Sequence, residues 1–327
     1  MAPMDAGMHR RAHMEEMMDK MRRLAILPIA ILVLAACQAD TGESATEPAS
    51  ASEAAASPSE AAVDITNVVC VGEATTYLDW LNGDLEPDVQ DPIEDPGDAT
   101  GDLLETVQEN GVLRISTDAN YEPQSFRDPD GSWVGFDIDV GTEIAERLGV
   151  EAEFQHQDWE IITAGSWAER WDISVGSMTI TTPRKDLFSF TQPYYYTPAY
   201  LAASTRSGVT GVDQLPFELP SGAEAVTRPT DSNCIEDIAA NRPEFDLLIT
   251  SGTVIDSAVD SGQPIVKIGE PIYQENLAVA IDKSGPAHAA LLFEIDKIIG
   301  EMHADGTLTE LSEKWFEEDI TQDPSAG

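Results

Sequence analysis

Basic residues are scarce in this sequence. It contains 18 Lys and Arg against 60 Asp and Glu, which gives a formal net charge of -42 at pH 7. Binding to nucleic acid needs clustered Lys and Arg, so this composition argues against a nucleic acid partner. It also argues against adhesion of the folded body to an anionic membrane. We interpret the acidity as a solvated, repulsive surface suited to a salty habitat, with a specifically cationic ligand as the alternative.

The sequence also lacks the short motifs of cofactor and metal enzymes. It has no G-x-G-x-x-G, Walker A, G-x-S-x-G, H-E-x-x-H or C-x-x-C motif, and its five His are scattered. These absences argue against dinucleotide, nucleoside triphosphate and serine hydrolase chemistry. We therefore predict no cofactor and no metal site.

Apolar runs are short, and the longest lies near the N-terminus. Met21-Arg22-Arg23 precedes LAILPIAILVLAAC, which is shorter than the ~20 residues of a membrane-spanning helix. The stretch LAAC resembles a bacterial lipobox, so we expect residues 1–37 to be a lipoprotein signal peptide with lipidation at Cys37. Residues 38–63 are rich in Ala, Ser, Glu and Pro without periodicity, which predicts a disordered tether. The sequence thus predicts an exported protein, at the cell surface or in the periplasm, held to the membrane by lipid alone.

Cysteine is almost absent, with three residues in the chain. Besides Cys37 there remain Cys70 and Cys234, and an exported protein can join such a pair in a disulfide. Cys70 lies in an apolar, strand-like run, where a single Cys is also common as a small buried residue. Both interpretations stay open.

From residue 102 onward, strand and helix patterns alternate. DLLETVQENG and GTEIAERLG are amphipathic helices, the second ending at Gly149, whereas VLRIST and WDISVGSMTI read as strands. A second block, from AEAVTR to the helical C-terminal region, repeats the alternation with IVKIG and YQENLAVAIDK as separate strands. This order predicts the α/β class with a mainly parallel sheet.

The ordered motifs of residues 102–204 resemble a known family. DLLETVQENGVLRISTDANYEPQSFRDPDGSWVGFDIDVGTEIAERLGV, then DW, SMTITTPRK and FSFTQPYYY, are similar to polar amino-acid-binding proteins of ABC importers, solute-binding family 3. The resemblance resumes more weakly at residues 223–318. It implies a two-lobed, type II periplasmic-binding-protein fold with hinge crossovers and a ligand cleft between the lobes. We place lobe one at 98–196 and 277–320, and lobe two at 197–276.

SMTITTPRK carries the predicted carboxylate site. Arg184 offers a planar fork of donors that matches a carboxylate bidentately. Thr179 ends a buried strand, and strand ends are where such sheets bind ligands. The resemblance implies that Thr179 and Arg184 hold the ligand α-carboxylate and that the carbonyl of Ser177 accepts from its ammonium group. A surface Arg in a turn after Pro183 is the alternative for Arg184, and we expect Lys185 to face solvent.

The resemblance assigns three further side chains to the cleft. Asp118 in STDANY matches an acidic position near the ligand's polar side chain or amino group, and Tyr121 and Trp159 match an aromatic pair around its aliphatic part. Core packing is the alternative for any aromatic residue. We expect three other Trp residues near these motifs to lie in the core or at the surface: Trp133, Trp167 and Trp171.

The sequence departs from the family where an Asp usually binds the ligand ammonium group. In FDLLITSG that position holds Ser251, and a hydroxyl cannot replace the charge of a carboxylate. Ammonium binding would then depend on Asp118, Glu73 or backbone carbonyls.

A second departure is the missing strand and helix that normally open lobe two. A unit of this form, VVCVGEATTYLDWLNGDL, lies upstream of lobe one instead. We therefore predict that residues 64–97 supply a rearranged strand–helix unit to lobe two, with Thr75 and Thr76 at the ligand, followed by a linker. Strand 224–228 would then pair with this unit, and Cys70 and Cys234 would share a lobe. An unrelated extension beside a degenerate lobe two is the alternative.

These features favour a monomeric binding module that closes on an amino-acid-like ligand and delivers it to ABC transporter permease subunits. Closure would occur at the crossovers, residues 194–200 and 274–278. One alternative is a lyase on the same fold, similar to cyclohexadienyl dehydratase, with Glu73 or Glu275 as general acid. Another is a ligand-sensing module for a membrane receptor.

Overall fold

The computed structural model describes residues 65–72, 74–97 and 100–324. The predicted signal peptide, the lipidation site Cys37 and the tether 38–63 lie outside the described residues, as does Glu73. No helix in the described part of the chain has the length and apolarity needed to cross a bilayer.

The helices combine an apolar face with capping residues at their ends. The N-cap Asp102, for example, accepts from the N–H of Leu104 at 3.0 Å, and Gly111 and Gly149 end their helices in the left-handed conformation. The helices of the described residues are α1 Thr76–Asn82, α2 Leu103–Asn110, α3 Phe136–Leu148, α4 Trp159–Thr163, α5 Thr182–Leu187, α6 Asp231–Ala239, α7 Gly252–Asp260, α8 Ala289–Asp305 and α9 Thr307–Phe316.

The strands of the described residues build two sheets. They are β1 Val68–Gly72, β2 Val112–Thr117, β3 Asn120–Tyr121, β4 Ser125–Arg127, β5 Trp133–Val134, β6 Glu151–His156, β7 Ile173–Thr179, β8 Phe188–Ser204, β9 Glu224–Arg228, β10 Leu247–Ser251 and β11 Ile265–Asp282. The large sheet has the order β6-β2-β7-β11-β8-β10-β1-β9, and β3, β4 and β5 form the small one. Parallel strands with helical connections confirm the predicted α/β class.

The two ends of the large sheet are built alike. At one end β2 lies between its parallel neighbours β6 and β7, and at the other end β1 lies between its parallel neighbours β9 and β10. The long strands β8 and β11 pair antiparallel with each other and run through both lobes. They are therefore the crossovers between the lobes.

The N-terminal strand β1 lies inside the large sheet, between β9 and β10. Val69 pairs with Ala225 on one side and with Leu247 on the other. The side chains of Val69 and Val71 are fully buried in one apolar cluster, while Cys70 packs into the cluster on the opposite face of the sheet. This alternation is the period of two that a strand imposes, and it buries both faces of β1.

Two predicted boundaries were wrong. The helix expected from Gly141 begins five residues earlier as α3, because Gly135 takes φ 133° at its N-cap and Phe136 and Val140 already face the core. A Cβ on Gly135 would lie 2.1 Å from the carbonyl oxygen of Gln124, so this position requires glycine. IVKIG and YQENLAVAIDK form the single strand β11, whose register shifts between Ile268 and Tyr273.

Residues 84–97 lead from α1 back to lobe one and are called the strap. Pro87 forms an isolated antiparallel bridge with Thr181, and the N–H of Thr182 donates to the carbonyl oxygen of Glu86 at 3.0 Å. Further along, the amide of Gln90 donates to Asp296 at 2.9 Å. The strap thus lies directly against the start of α5, the helix that carries Arg184.

Candidate functional site

A cleft between the two lobes collects most of the predicted ligand-binding residues. Its empty volume is about 530 Å³, open solvent at its mouth included. It is lined by Thr75, Thr76, Tyr77, Asp118, Tyr121, Ser125, Trp159, Gly176, Ser177, Thr179, Arg184, Pro229, Thr230, Asp231 and Glu275. Of the nine predicted ligand-binding residues, eight belong to this lining, and Ser251 does not.

Arg184 is the single basic residue among the described residues of the lining. It lies in the first turn of α5, where the hydroxyl of Thr181 accepts from its backbone N–H at 3.4 Å. Its side chain is 9% exposed, and its guanidinium donates to the carbonyl oxygens of Thr179 and Ala74, each at 3.1 Å. Burial lowers the pKa of Arg184, and the negative charges of Asp79 and Glu275 oppose that shift. Arg184 therefore presents a buried cation beside both lobes.

Hydroxyl groups from both lobes converge on Glu275. Its Oε1 accepts from Thr179 at 2.6 Å and from Thr76 at 2.9 Å, and its Oε2 accepts from the hydroxyl of Tyr77 at 2.9 Å. Tyr273 donates in turn to the hydroxyl oxygen of Thr76 at 2.9 Å. The Glu275 side chain is 3% exposed, and burial raises its pKa, although the three hydroxyl donors and Arg184 act in the opposite direction. These hydroxyls give their hydrogens to Glu275 and Thr76, so they hold the Glu275 carboxylate in the wall of the cleft.

The hydroxyl of Ser177 is hydrogen-bonded inside the protein. Its hydroxyl donates to Asp137 at 2.8 Å and accepts from Tyr195 at 2.7 Å, while its N–H donates to the hydroxyl of Tyr194 at 3.0 Å. Burial raises the pKa of Asp137 to about 6, against the hydrogen bonds from Tyr194 and Ser177. Ser177 has φ 56°, a left-handed conformation that is uncommon for a residue with a Cβ. The buried network holds this backbone turn at the wall of the cleft.

Aromatic side chains border the cleft on two sides. The indole N–H of Trp159 donates to the carbonyl oxygen of Ala74 at 3.1 Å, and the guanidinium carbon of Arg184 lies 5.6 Å from the centre of its ring. Tyr121 belongs to lobe one but packs against an apolar cluster of lobe two. Tyr77 was not predicted, although it directly follows Thr75 and Thr76 in the motif TTY. These rings can enclose the apolar part of a small ligand.

Two aspartates face the cleft from opposite lobes. Asp118 is 6% exposed, and its Oδ1 accepts from the backbone N–H and the side-chain amide of Asn120 at 2.9 and 3.1 Å. Asp231 is 3% exposed, and its carboxylate accepts from the N–H of Gly72 at 2.8 Å and from the hydroxyl of Thr250 at 2.9 Å. Burial raises the pKa of both, that of Asp231 to about 7.

Sequence reasoning missed Asp231, although a signal was present. The stretch PTDSN follows β9 directly, and Thr230 is the N-cap of α6. The C-terminal ends of parallel strands are where such sheets place ligand-binding groups, so an Asp at that point was a candidate.

The structure places Ser251 and Lys185 elsewhere. Ser251 is fully buried, and its hydroxyl shares hydrogen bonds with Thr197 at 3.1 Å and Thr253 at 2.7 Å. The expectation that Lys185 faces solvent was wrong, because its side chain is 18% exposed and pairs with Asp88 and Asp91 of the strap at 3.2 and 2.7 Å. The scarce basic pair of SMTITTPRK is therefore divided between the cleft and the strap.

The remaining Cys and Trp residues considered above lie outside the cleft lining. A disulfide joins Cys70 of β1 to Cys234 of α6. Trp167 and Trp171 are buried together in one cluster of lobe one, while the ring of Trp133 lies under the guanidinium of Arg127. No group of three or more His, Cys, Asp and Glu in the described part of the chain is arranged to hold a metal ion.

Comparison with known proteins agrees with this architecture. The family model "Bacterial extracellular solute-binding proteins, family 3" matches residues 113–318. The chain is 27% identical over 240 residues to the L-cystine-binding protein TcyJ of Escherichia coli K12, covering 67% of this chain and 88% of that protein. It is 25% identical over 244 residues to the L-arginine-binding protein of Pseudomonas aeruginosa PAO1, covering 66% and 92%.

A solved structure shows the same fold. It is an ABC uptake transporter substrate binding protein from Streptococcus pneumoniae with bound histidine, which has 21% sequence identity and a TM-score of 0.60 and covers 69% of this chain and 100% of that one. The curated relatives above are binding proteins and not enzymes. Because the family model matches well over half of the sequence, the chain belongs to the bacterial extracellular solute-binding proteins of family 3.

Proposed function

We propose that this protein is the substrate-binding component of an ABC importer and captures a free amino acid in the cleft between its lobes. The observation that carries the proposal is Arg184, a buried guanidinium placed among the hydroxyls of Thr179 and Thr76. A buried guanidinium is suited to a carboxylate, and the carboxylates of Asp118 and Asp231 are suited to an ammonium group. The names of the relatives support an amino acid as the ligand.

Capture would proceed by rotation of the lobes about the crossovers of β8 and β11. Contacts between the lobes support this mechanism, because Ala74 of lobe two accepts from both Arg184 and Trp159 of lobe one. Gln124 of lobe one likewise donates to Thr253 of lobe two at 2.7 Å. Closing the lobes would bring these groups together around the ligand and shield it from water.

The N-terminal strand–helix unit belongs, in this proposal, to lobe two and supplies Thr75 and Thr76 to the ligand. The pairing of β1 with β9 and β10 supports this assignment, as does the position of Thr76 in the cleft. The family model begins at residue 113 and so leaves this unit out. In this proposal the strand–helix unit that opens lobe two precedes lobe one in the sequence, and the strap is the connection that leads back to lobe one.

We also propose that the mature protein is a monomer anchored by a lipid on Cys37 and that it docks on permease subunits. The lipobox and the tether carry this part of the proposal. Cys37→Ala should release the protein from the membrane fraction, as measured by cell fractionation and detection with an antibody.

Isothermal titration calorimetry with the twenty free amino acids tests the proposed ligand class. We expect binding of one or more of them, lost on Arg184→Ala, because the ligand carboxylate would lose a charge-assisted partner. Arg242→Ala is the matched control, since Arg242 lies outside the cleft with 53% of its side chain exposed. Turnover of prephenate or arogenate without binding of any amino acid would refute the proposal.

A further inference from the structure

The cleft carries more negative than positive groups. Three carboxylates line it, those of Asp118, Asp231 and Glu275, against the single guanidinium of Arg184 among the described lining residues. A zwitterionic amino acid brings one carboxylate and one ammonium group, which leaves this imbalance unchanged. A buried carboxylate without a counter-charge is costly, so the ligand itself is the natural source of the missing positive charge.

Glu275 is already provided for by the protein. Both of its oxygens accept hydrogen bonds from hydroxyl groups, those of Thr179, Thr76 and Tyr77, so the protein itself supplies its partners. The other two carboxylates, those of Asp118 and Asp231, exceed Arg184 by one negative charge. A ligand with net charge +1 balances these three groups, whereas a neutral zwitterion leaves one of the two aspartates without a partner.

Asp118 offers a free acceptor. Its Oδ1 takes both hydrogen bonds from Asn120, whereas its Oδ2 has no donor among the described residues. The nearest positive candidate is His156, whose Nδ1 is 4.0 Å from Oδ1 and whose ring is 41% exposed. Because the side chain of Asp118 is more than nine-tenths buried and lines the cleft, Oδ2 is placed to accept from a ligand donor.

Asp231 approaches the ligand from the other lobe. One oxygen accepts from Gly72 and the other from Thr250, and each carboxylate oxygen can accept one more hydrogen bond. These two donors hold the carboxylate in place without supplying a positive charge. Ser251, at the position where the resemblance implies an Asp, is buried away from the cleft lining, so Asp231 provides the acid of lobe two.

Resting on the function proposed above, we propose that the ligand is an amino acid with a cationic side chain, and that Asp118 and Asp231 bind its two positive groups while Arg184 binds its carboxylate. This assignment separates the chain from its cystine-binding relatives. Cystine carries two carboxylates, and the described cleft lining has one guanidinium to receive them.

Matched ligands test the charge requirement on the unaltered protein. Arginine and citrulline have nearly the same shape, but citrulline has a neutral side chain. In calorimetric titrations at about pH 8 and low salt, we expect arginine, lysine or ornithine to bind at least about tenfold more tightly than citrulline and glutamine. Cystine should bind more weakly than the best basic amino acid.

Two substitutions test the assigned residues. Of Asp118→Asn and Asp231→Asn, the variant that loses the partner of the side-chain cation should reduce the ratio of arginine to citrulline affinity about tenfold, and the variant that loses the partner of the α-ammonium group should weaken both ligands about tenfold. The exposed Asp260→Asn should change neither affinity. Asp231 also supports the fold through Gly72 and Thr250, so thermal melting is measured for each variant. The comparison of ligands on the unaltered protein and Asp118→Asn do not depend on how Asp231→Asn folds.

Each outcome supports or overturns the inference. If citrulline, glutamine or cystine binds as tightly as arginine and its basic analogues, the inference is overturned and the proposed function stands. If basic amino acids bind best but neither Asp variant changes the ratio, the assignment of Asp118 and Asp231 is overturned. If no amino acid binds at all, the proposed function fails and this inference fails with it.

Discussion

Asp231 shows how a single buried residue connects the N-terminal segment to the cleft. Its carboxylate accepts from the N–H of Gly72 at 2.8 Å, and a Cβ on Gly72 would lie 2.6 Å from the same oxygen. A glycine is therefore needed at position 72 for the carboxylate to come so close. Burial raises the pKa of Asp231 to about 7, although the hydrogen bonds from Thr250 and Gly72 favour its ionised form.

The raised pKa predicts a pH-dependent stability. Between its unfolded value near 3.8 and about 7, Asp231 binds more protons in the folded than in the unfolded state. The free energy of unfolding therefore falls as the pH rises through this window, by at most ~4 kcal/mol from this group. We expect urea unfolding of the ligand-free protein to show this decline and Asp231→Asn to flatten it.

A control variant separates Asp231 from other buried acids. The pKa values of Asp137 and Glu275 are also raised, so part of the decline should persist in Asp231→Asn. Asp260→Asn, on the exposed end of α7, should reproduce the unaltered curve. A slope identical in the unaltered protein and in Asp231→Asn would contradict the raised pKa.

At the level of elements, one disulfide joins β1 to α6. The two cysteines are 164 residues apart in the chain, and both are fully buried in the apolar cluster on one face of lobe two. A cross-link over a loop of this length strongly restricts the unfolded chain. It therefore stabilises the attachment of β1 to α6 and to the neighbouring strands.

Loss of this cross-link should destabilise lobe two. We expect the double variant Cys70→Ala and Cys234→Ala to lower the free energy of unfolding by ~2–5 kcal/mol, measured by denaturant unfolding under oxidising conditions. A reducing agent should lower the stability of the unaltered protein and leave the variant unchanged. If reduction destabilises both proteins equally, the effect does not come from this disulfide.

At the level of the whole molecule, the proposed assignment of β1 to lobe two means that the chain passes between the lobes three times among the described residues. Besides β8 and β11, the strap leads from lobe two to lobe one. Lys185, next to the cleft residue Arg184, is paired with Asp88 and Asp91 of the strap. The strap therefore connects the N-terminal unit to the helix that presents the guanidinium.

The position of β1 predicts that lobe two cannot form without the N-terminal segment. Removal of residues 65–83 would leave β9 and β10 without the strand between them and would open two apolar clusters. We expect this deletion to abolish ligand binding and to make lobe two sensitive to protease, as followed by limited proteolysis and calorimetry. Deletion of residues 38–63 serves as the control and should preserve both properties. Full protection after loss of residues 65–83 would show that lobe two folds without β1.

Much of the element order could be predicted from local patterns. The strands β2 and β7 agree with the predicted runs VLRIST and WDISVGSMTI because alternating or continuous apolar residues between turn signals specify a strand locally. The start of α3 could not be predicted in this way. Its first turn depends on Gly135 fitting against Gln124, which is a contact between segments that local sequence does not contain.

In the cleft, Arg184 and Thr179 could be predicted because their motif is continuous in the sequence and its chemistry is specific for a carboxylate. Asp231 and the pairing of Lys185 with the strap could not, since each depends on partners brought close by folding. By itself the sequence determined the α/β class, the family and the cation of the site, because local periodicity and short motifs encode them. The tertiary structure decided which carboxylates share the cleft and where β1 lies, because burial and strand pairing join residues more than 150 positions apart.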